Sequence, residues 1–373
     1  MTGPRYTPLV ASLPATVPFV GPETQERQRG RPFRARIGAN ESVFGPSPRA
    51  VAAMQAAASD CWMYGDPENH DLRAALATHH GVTPAHVMVG EGIDGILGYL
   101  CRMVLEPGDA VVTSDGAYPT FNFHVTGYGG ALHKVPYKGD MEDPDALIAR
   151  AREVAPKLIY LANPDNPMGT AHPGPVIAGM VKEVPEGSLL ILDEAYIDLA
   201  PEGTAPQIDA DDPRVVRMRT FSKGYGMAGA RVGYALGAPG LITAFNKIRN
   251  HFGMSRISQA GALAALADQH YLAEVRDRVA ASRDRLAAIA DQNGLRALPS
   301  ATNFVAIDCG ADGDFARRVL AELIARDIFV RMPFVVPQDR CIRVSCAPDA
   351  QMAAFAEALP QALAQARAAV RAG

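Results

Sequence analysis

The sequence predicts an α/β architecture: a large domain with a mostly parallel seven-stranded sheet covered by helices, plus a smaller α+β domain. Two observations carry that expectation. Short apolar runs at 87–89, 111–114, 132–135, 158–162, 189–192, 215–219 and 232–236 are separated mostly by helical stretches, and strands alternating with helices build a largely parallel sheet buried on both faces. After about residue 240 the texture changes. A helical stretch laced with Arg and Asp runs from about 257 to 292 and reads as a connector with one solvated face. Strand-like segments at 303–308, 328–331 and 341–345 then alternate with helices around 314–326 and 349–370, which makes the smaller domain.

The N-terminal segment 1–36 is rich in proline and arginine, and Pro14, Pro18, Pro22 and Pro32 are expected to forbid regular structure there. It reads as an arm lying on a surface or crossing to a partner subunit. The expected division is therefore an arm at 1–36, a large domain at 37–255, and a small domain at 256–373 that takes in part of the arm. A chain of 373 residues is long enough for this, and 48% hydrophobic with 20% charged residues permits packed cores and excludes global disorder. A net charge of −4 makes no electrostatic case for nucleic acid or an anionic membrane. No apolar run approaches the roughly 18 residues of a membrane helix, and the N-terminus lacks a basic-then-apolar export pattern. Cysteines 61, 101, 309, 341 and 346 are odd in number and include no Cys-x-x-Cys, so reduced thiols in a cytoplasmic protein are expected.

The chemistry centres on Lys223, one of only six lysines. The run at 215–220 delivers it into a glycine-rich turn, Ser222-Lys223-Gly224-Tyr225-Gly226, with Arg231 eight residues beyond. A lysine on a rigid turn beside a hydroxyl and an arginine can form a Schiff base with an aldehyde whose phosphate the other two hold. Taken alone it reads more readily as a surface lysine at a tight turn; other segments change that. Gly90-Glu91-Gly92-Ile93-Asp94-Gly95 follows a strand and opens an amphipathic helix at 96–104, with Asp115 twenty residues past Gly95. This matches a dinucleotide fingerprint in its proper context, so an NAD-dependent oxidoreductase is a rival; common to both readings is a helix N-terminus that binds phosphate. Asn163-Pro164-Asp165-Asn166-Pro167-Met168-Gly169 forces a turn at the end of a strand, where open α/β sheets bind ligands. Asp193 follows the buried run 189–192, and its plain alternative is a cap on the following turn. Tyr118 sets an aromatic ring on the same sheet edge. No His-x-x-x-His or local His/Cys pair argues for metal, and no Gly-x-Ser-x-Gly elbow argues for a serine hydrolase.

An anion-binding helix start, an aromatic plate, an amide, a carboxylate and a lysine together suit a flat, phosphorylated, basic heterocyclic aldehyde. Their order and spacing resemble the fold-type I pyridoxal-phosphate aminotransferases, in the histidinol-phosphate aminotransferase-like branch. Ile37-Gly38-Ala39-Asn40-Glu41-Ser42-Val43-Phe44-Gly45-Pro46-Ser47-Pro48 is similar to that branch's entry segment, and Tyr64-Gly65-Asp66-Pro67-Glu68 with Asp71-Leu72-Arg73 also matches. The resemblance covers about residues 35 to 346 and implies a homodimer with a shared active site. It implies that Lys223 holds pyridoxal 5′-phosphate covalently and shuttles the substrate's proton, and that Asp193 pairs with the pyridine nitrogen. Asn166 and Tyr196 would bond the ring's 3′ oxygen, and Tyr118 would stack on the ring. The phosphate would lie on the backbone of Ile93 and Asp94, on Ser222 and Arg231, and on Tyr64 from a second subunit. Arg343 and Arg331, with Asn40 and Phe19, would meet the substrate.

Departures from the branch bear on the substrate. Gly95 stands where glutamate is common, Met168 where threonine is usual, and Phe19 where histidinol-phosphate enzymes carry a tyrosine, which would favour an apolar or aromatic side chain. The expected activity moves an amino group from histidinol phosphate or an aromatic or other L-amino acid to a 2-oxo acid, with 2-oxoglutarate as the expected acceptor, by a ping-pong mechanism. A decarboxylase of the phosphothreonine type, which keeps the cofactor and breaks another bond, is the alternative beside the oxidoreductase.

Overall fold

The computed structural model describes residues 3–15 and 20–372. Strand β1, Ala35–Arg36, precedes seven strands: β2 Val87–Gly90, β3 Ala110–Ser114, β4 Ala131–Val135, β5 Leu158–Ala162, β6 Leu189–Asp193, β7 Val215–Thr220 and β8 Gly233–Gly237. They form one sheet in the order β2-β8-β7-β6-β5-β3-β4. The β4, β3, β5, β6 and β7 neighbours are parallel, whereas β8 runs antiparallel to both β7 and β2. β5 is buried at every position, as a strand covered on both faces must be. Apolar side chains fill both faces: Phe121, Tyr160, Met218 and Phe245 on one, Leu147, Leu161, Ile177 and Leu192 on the other.

Parallel strands place successive strand ends on one edge. The register sets Ala162 beside Asp193 and Asp193 beside Met218, so the turns after β5, β6 and β7 emerge side by side. This edge carries the chemistry, as expected at the carboxyl ends of an open α/β sheet.

The C-terminal region is built on β9 Arg296–Ala297, β10 Phe304–Asp308, β11 Ile328–Phe329 and β12 Cys341–Ser345. β9, β10 and β12 form an antiparallel sheet against the helices Gly313–Ala325 and Asp349–Ala372. Ala35 and Ile37 join this cluster, because β1 pairs in parallel with β11.

Three expectations are corrected. The N-terminal segment holds helices Pro8–Ser12 and Pro22–Arg29 as well as β1. Of the four prolines named, Pro22 starts a helix, as Pro8 does, at the first helical position where the missing N–H has no partner to lose, whereas Pro14 and Pro32 lie outside regular elements and Pro18 falls outside the described residues. The stretch 257–292 is two helices, Arg256–Ala267 and Gln269–Gln292, broken at Asp268, whose side chain accepts from the Tyr271 N–H and caps the second. The glycine-rich helix begins at Gly92, four residues before the expected start.

Candidate active site

The strand-end turns and the C-terminal region enclose a cavity of about 520 Å³. Asn40, Ile93, Asp94, Tyr118, Asn166, Asp193, Tyr196, Ser222, Lys223, Arg231, Arg331 and Arg343 all line it. Two positions of interest do not. Tyr64 lies outside it, 76% exposed, with its ring 4.8 Å from that of Phe252. Phe19 falls outside the described residues.

Asp193 ends β6 with its carboxyl turned into the cavity. Its Oδ2 accepts from the Tyr160 hydroxyl at 2.6 Å and its Oδ1 from the Ala195 N–H at 2.9 Å. Both donors are neutral, so burial dominates and pushes the carboxyl up to about 6. Tyr160 was not anticipated. The signal was present as a lone phenol in the aliphatic run Leu158–Ala162, and Phe121 stacks on it at 4.6 Å.

The turn after β7 presents Lys223, whose Nζ donates to the Asn40 carbonyl at 2.8 Å and sits 5.5 Å from the Tyr196 ring. Burial, with Arg343 nearby, pulls this amine down to about 8, so it is far more readily neutral than a solvated lysine. Asn40 adopts a left-handed backbone and is held at both ends: its N–H donates to Ser345 Oγ at 3.1 Å and its side-chain amide to the Tyr196 hydroxyl at 3.2 Å. Burial raises the Tyr196 phenol to about 12.

At the opposite wall the first turn of helix Gly92–Val104 exposes N–H groups that have no intrahelical acceptor. Gly92 has φ +80°, and any Cβ there would strike the Arg231 guanidinium. Only glycine lets that cation lie against the helix start. Ser222 Oγ accepts from Thr220 Oγ1 at 2.9 Å, and Thr120 Oγ1, also on the cavity, is buried with no partner among the described residues. Tyr118 donates to Asp94 Oδ1 at 3.3 Å.

Arg343 and Arg331 form the wall contributed by the C-terminal region, joined by a backbone bridge of 2.6 and 3.3 Å. Arg343 donates to Asn166 Oδ1 and lies over the Phe304 ring at 5.3 Å, while its Nε is buried without a partner among the described residues. Burial pulls it down to about 10, an environment that favours an incoming anion. Arg331 Nη2 donates to the Val20 carbonyl at 3.0 Å. Among the described residues no group of three His, Cys, Asp or Glu side chains is placed to hold a metal ion.

The dinucleotide match dissolves on topology. The strand before the glycines, β2, lies at the sheet's edge and runs antiparallel to β8, whereas a dinucleotide loop follows a parallel strand at a crossover.

The model of the aminotransferase class I and II family matches residues 36–359. The histidinol-phosphate aminotransferase of Moorella thermoacetica is 32% identical over 97% of this chain and 94% of its own. A crystal structure of the Sinorhizobium meliloti histidinol-phosphate aminotransferase in complex with pyridoxal 5′-phosphate superposes with a TM-score of 0.94, at 54% identity over 98% of this chain and 99% of that one. The aspartate aminotransferase of Thermus thermophilus, at 23% identity, shares the fold with a TM-score of 0.79 over 97% of this chain and 100% of its own. With these matches spanning nearly the whole chain, it belongs to the class I and II aminotransferases, pyridoxal-phosphate-dependent transaminases of the α/β fold described above.

Proposed function

We propose that this chain transfers the amino group of histidinol phosphate, or of an aromatic L-amino acid, to a 2-oxo acid such as 2-oxoglutarate in two half-reactions of ping-pong type. The observation that carries the reading is the separation of cations in one cavity. Arg231 lies at the helix start, Lys223 at the centre, and Arg331 with Arg343 on the wall of the C-terminal region. One anion site is thus reserved for the cofactor and a second for the substrate. The relatives named for histidinol phosphate favour that donor.

The residues fit the cofactor: the glycine cradle at Gly92, the unpartnered Thr120 hydroxyl and the cavity-facing acid Asp193 suit a phosphorylated pyridine. Ile93, Asp94, Ser222 and Arg231 would hold its phosphate, Tyr118 its face, Asn166 and Tyr196 its ring oxygen, and Asp193 its ring nitrogen. Bound pyridoxal phosphate supplies an aldehyde that condenses with amines and a ring that accepts the electron pair left at the donor's Cα. Asp193 keeps the proton on the ring nitrogen. Lys223, lowered by burial, offers a neutral Nζ and then moves the proton of the donor's Cα. Arg343, with Arg331, orients the donor by its anionic group. Asn40, tied to both Tyr196 and Lys223, sets their spacing.

The assembly is part of the same proposal. Trp62 and Tyr64 are 79% and 76% exposed, Tyr64 beside Phe252, and a second copy would cover these rings and receive the Tyr64 hydroxyl at its phosphate site. A cytoplasmic location agrees with five free thiols.

The test is the absorption spectrum of the purified protein during addition of histidinol phosphate and then phenylalanine, with the keto product assayed. Loss of the cofactor band with one donor identifies it; a band unmoved by either overturns the donor assignment. Carbon dioxide in place of keto product would identify a decarboxylase.

A further inference from the structure

The turn that carries Asn166 is tied down from behind by two acids. Glu142 and Asp165 are each 2% exposed. Glu142 Oε2 accepts from Ser114 Oγ at 2.6 Å, at the end of β3, and its Oε1 from the Ala162 N–H at 3.1 Å, at the end of β5. Asp165 Oδ1 accepts from the Tyr137 hydroxyl at 2.9 Å and Oδ2 from the Met168 N–H at 3.1 Å. The two carboxyls lie close enough behind the turn for each to act directly on the other's ionisation. All four outside donors are neutral, and neither acid makes an ion pair among the described residues; Arg343 acts on Asp165 only through its field. Two carboxylates in contact in a dry site repel strongly, and a hydrogen bond between them needs a proton.

We propose that Glu142 and Asp165 share one proton, and that Glu142 is thereby a positioning residue that holds Asn166, through Asp165 and its turn, beside Arg343 and the cofactor. The step to the cofactor rests on the placement of Asn166 proposed above. The turn itself is over-determined around this pair. Asp165 N–H donates to the Thr170 carbonyl at 2.8 Å, and His172 Nε2 meets the Glu142 carbonyl oxygen at 2.8 Å. The charged and titratable groups facing the pair are Tyr137, Tyr160, Tyr196, His172 and Arg343, with Asp115 behind Tyr137. None is a cation in contact with either carboxyl, so losing the proton leaves two adjacent buried charges with nothing to neutralise them. Burial accordingly raises the ionisation of the pair above the ordinary carboxylate range. Both folded values exceed the unfolded ones, so the stability this proton contributes is lost as pH rises through them.

The experiment compares wild type, Glu142→Gln and Glu142→Ala as full-length apoprotein and holoenzyme. Gln copies the donor of the protonated acid: its amide donates toward Asp165, its carbonyl still accepts from the Ala162 N–H, and the Ser114 hydroxyl must turn to accept from the amide. Hydrogen exchange of peptides covering 163–172 in the apoprotein reads the turn directly. At pH 6 Glu142→Gln should match wild type while Glu142→Ala exchanges about tenfold faster. By pH 9 wild type should open toward the Ala variant and Gln should not. In the holoenzyme, pyridoxal-phosphate affinity should fall about tenfold in Ala and be rescued in Gln. A Gln variant as open as Ala at pH 6, or a wild type and Gln pair that respond to pH in parallel, overturns the shared proton. Normal cofactor affinity in a variant whose turn is open overturns the positioning role. Should Glu142→Ala not fold, Asp165→Asn, which donates from the other side of the pair, is compared in its place. Wild type that binds no pyridoxal phosphate would refute the cofactor reading instead, and the exchange data on apoprotein still decide the pair.

Discussion

Asp193 and Glu194 are neighbours in sequence, both buried, and opposite in purpose. Asp193 faces the cavity and, among the described residues, takes hydrogen bonds from Tyr160 and a backbone N–H, both neutral, so burial lifts it to about 6. Glu194 turns the other way. Burial would raise it too, but Arg219 and Arg217, bonded to it at 2.8 Å, outweigh that and hold it below its ordinary value. The difference teaches how to tell a working acid from a structural one. The structural acid arrives with its countercharges built in; the working one is left with a charge deficit that a ligand must complete.

Removing Lys223 should break the cavity side most completely. Lys223→Ala is expected to abolish transamination while circular dichroism shows a folded protein; substantial residual turnover would sink the assignment. On the structural side, Glu194→Gln takes the countercharge from Arg217 and leaves Arg219 with Asp198 alone, which should cost about 3–5 kcal/mol of stability in denaturant unfolding, with the kcat of the folded fraction little changed. Asp193→Asn should do the reverse, lowering kcat by about 10²–10³-fold at nearly unchanged stability. A slight effect on kcat would make Asp193 a structural cap after all. Arg343→Lys, which replaces a fork with a point charge, should raise the donor KM about tenfold with a smaller change in kcat, because one geometry-dependent contact is weakened.

The smallest effect carries the sharpest sign. In apoprotein the Asp193 value is raised from 3.8 to about 6, so its contribution to stability is present below its unfolded value and lost as pH rises through about 6. Glu194 is lowered, so its contribution is present above its unfolded value and lost as pH falls through the folded one. Thermal midpoints from pH 3 to 8 should therefore change slope in opposite directions in Asp193→Asn and Glu194→Gln, each against wild type. Equal slopes would show that the two acids share one environment.

Much of this was legible in the chain itself. Short apolar runs alternating with helical stretches marked every strand of the large sheet, because burial on both faces leaves no other composition open to β5 and β6. Turn chemistry marked the strand ends at Asn163, Asp193 and Lys223, because glycine, proline and acids set turns there, and it was their combination at neighbouring strand ends that pointed to a site. The N-terminal helices were not legible: proline stops a helix in its interior but starts one at its first position, and sequence does not say which. The glycine fingerprint misled for a related reason. It specifies a strand–turn–helix, and only the sheet order shows that β2 lies at an antiparallel edge.

What the sequence determined by itself is local: strands, turns and the residue types at their ends, since these follow from side-chain period and backbone φ preference. Tertiary structure alone decided the partners. Tyr160 meets Asp193 because β5 and β6 pair in parallel register. Asn40 reaches Lys223 across 183 residues, and Glu142 meets Asp165 behind the Asn166 turn. Distances between segments far apart in the chain depend on packing that no short window encodes. The charge state of each buried group depends on those distances, and therefore so does the chemistry.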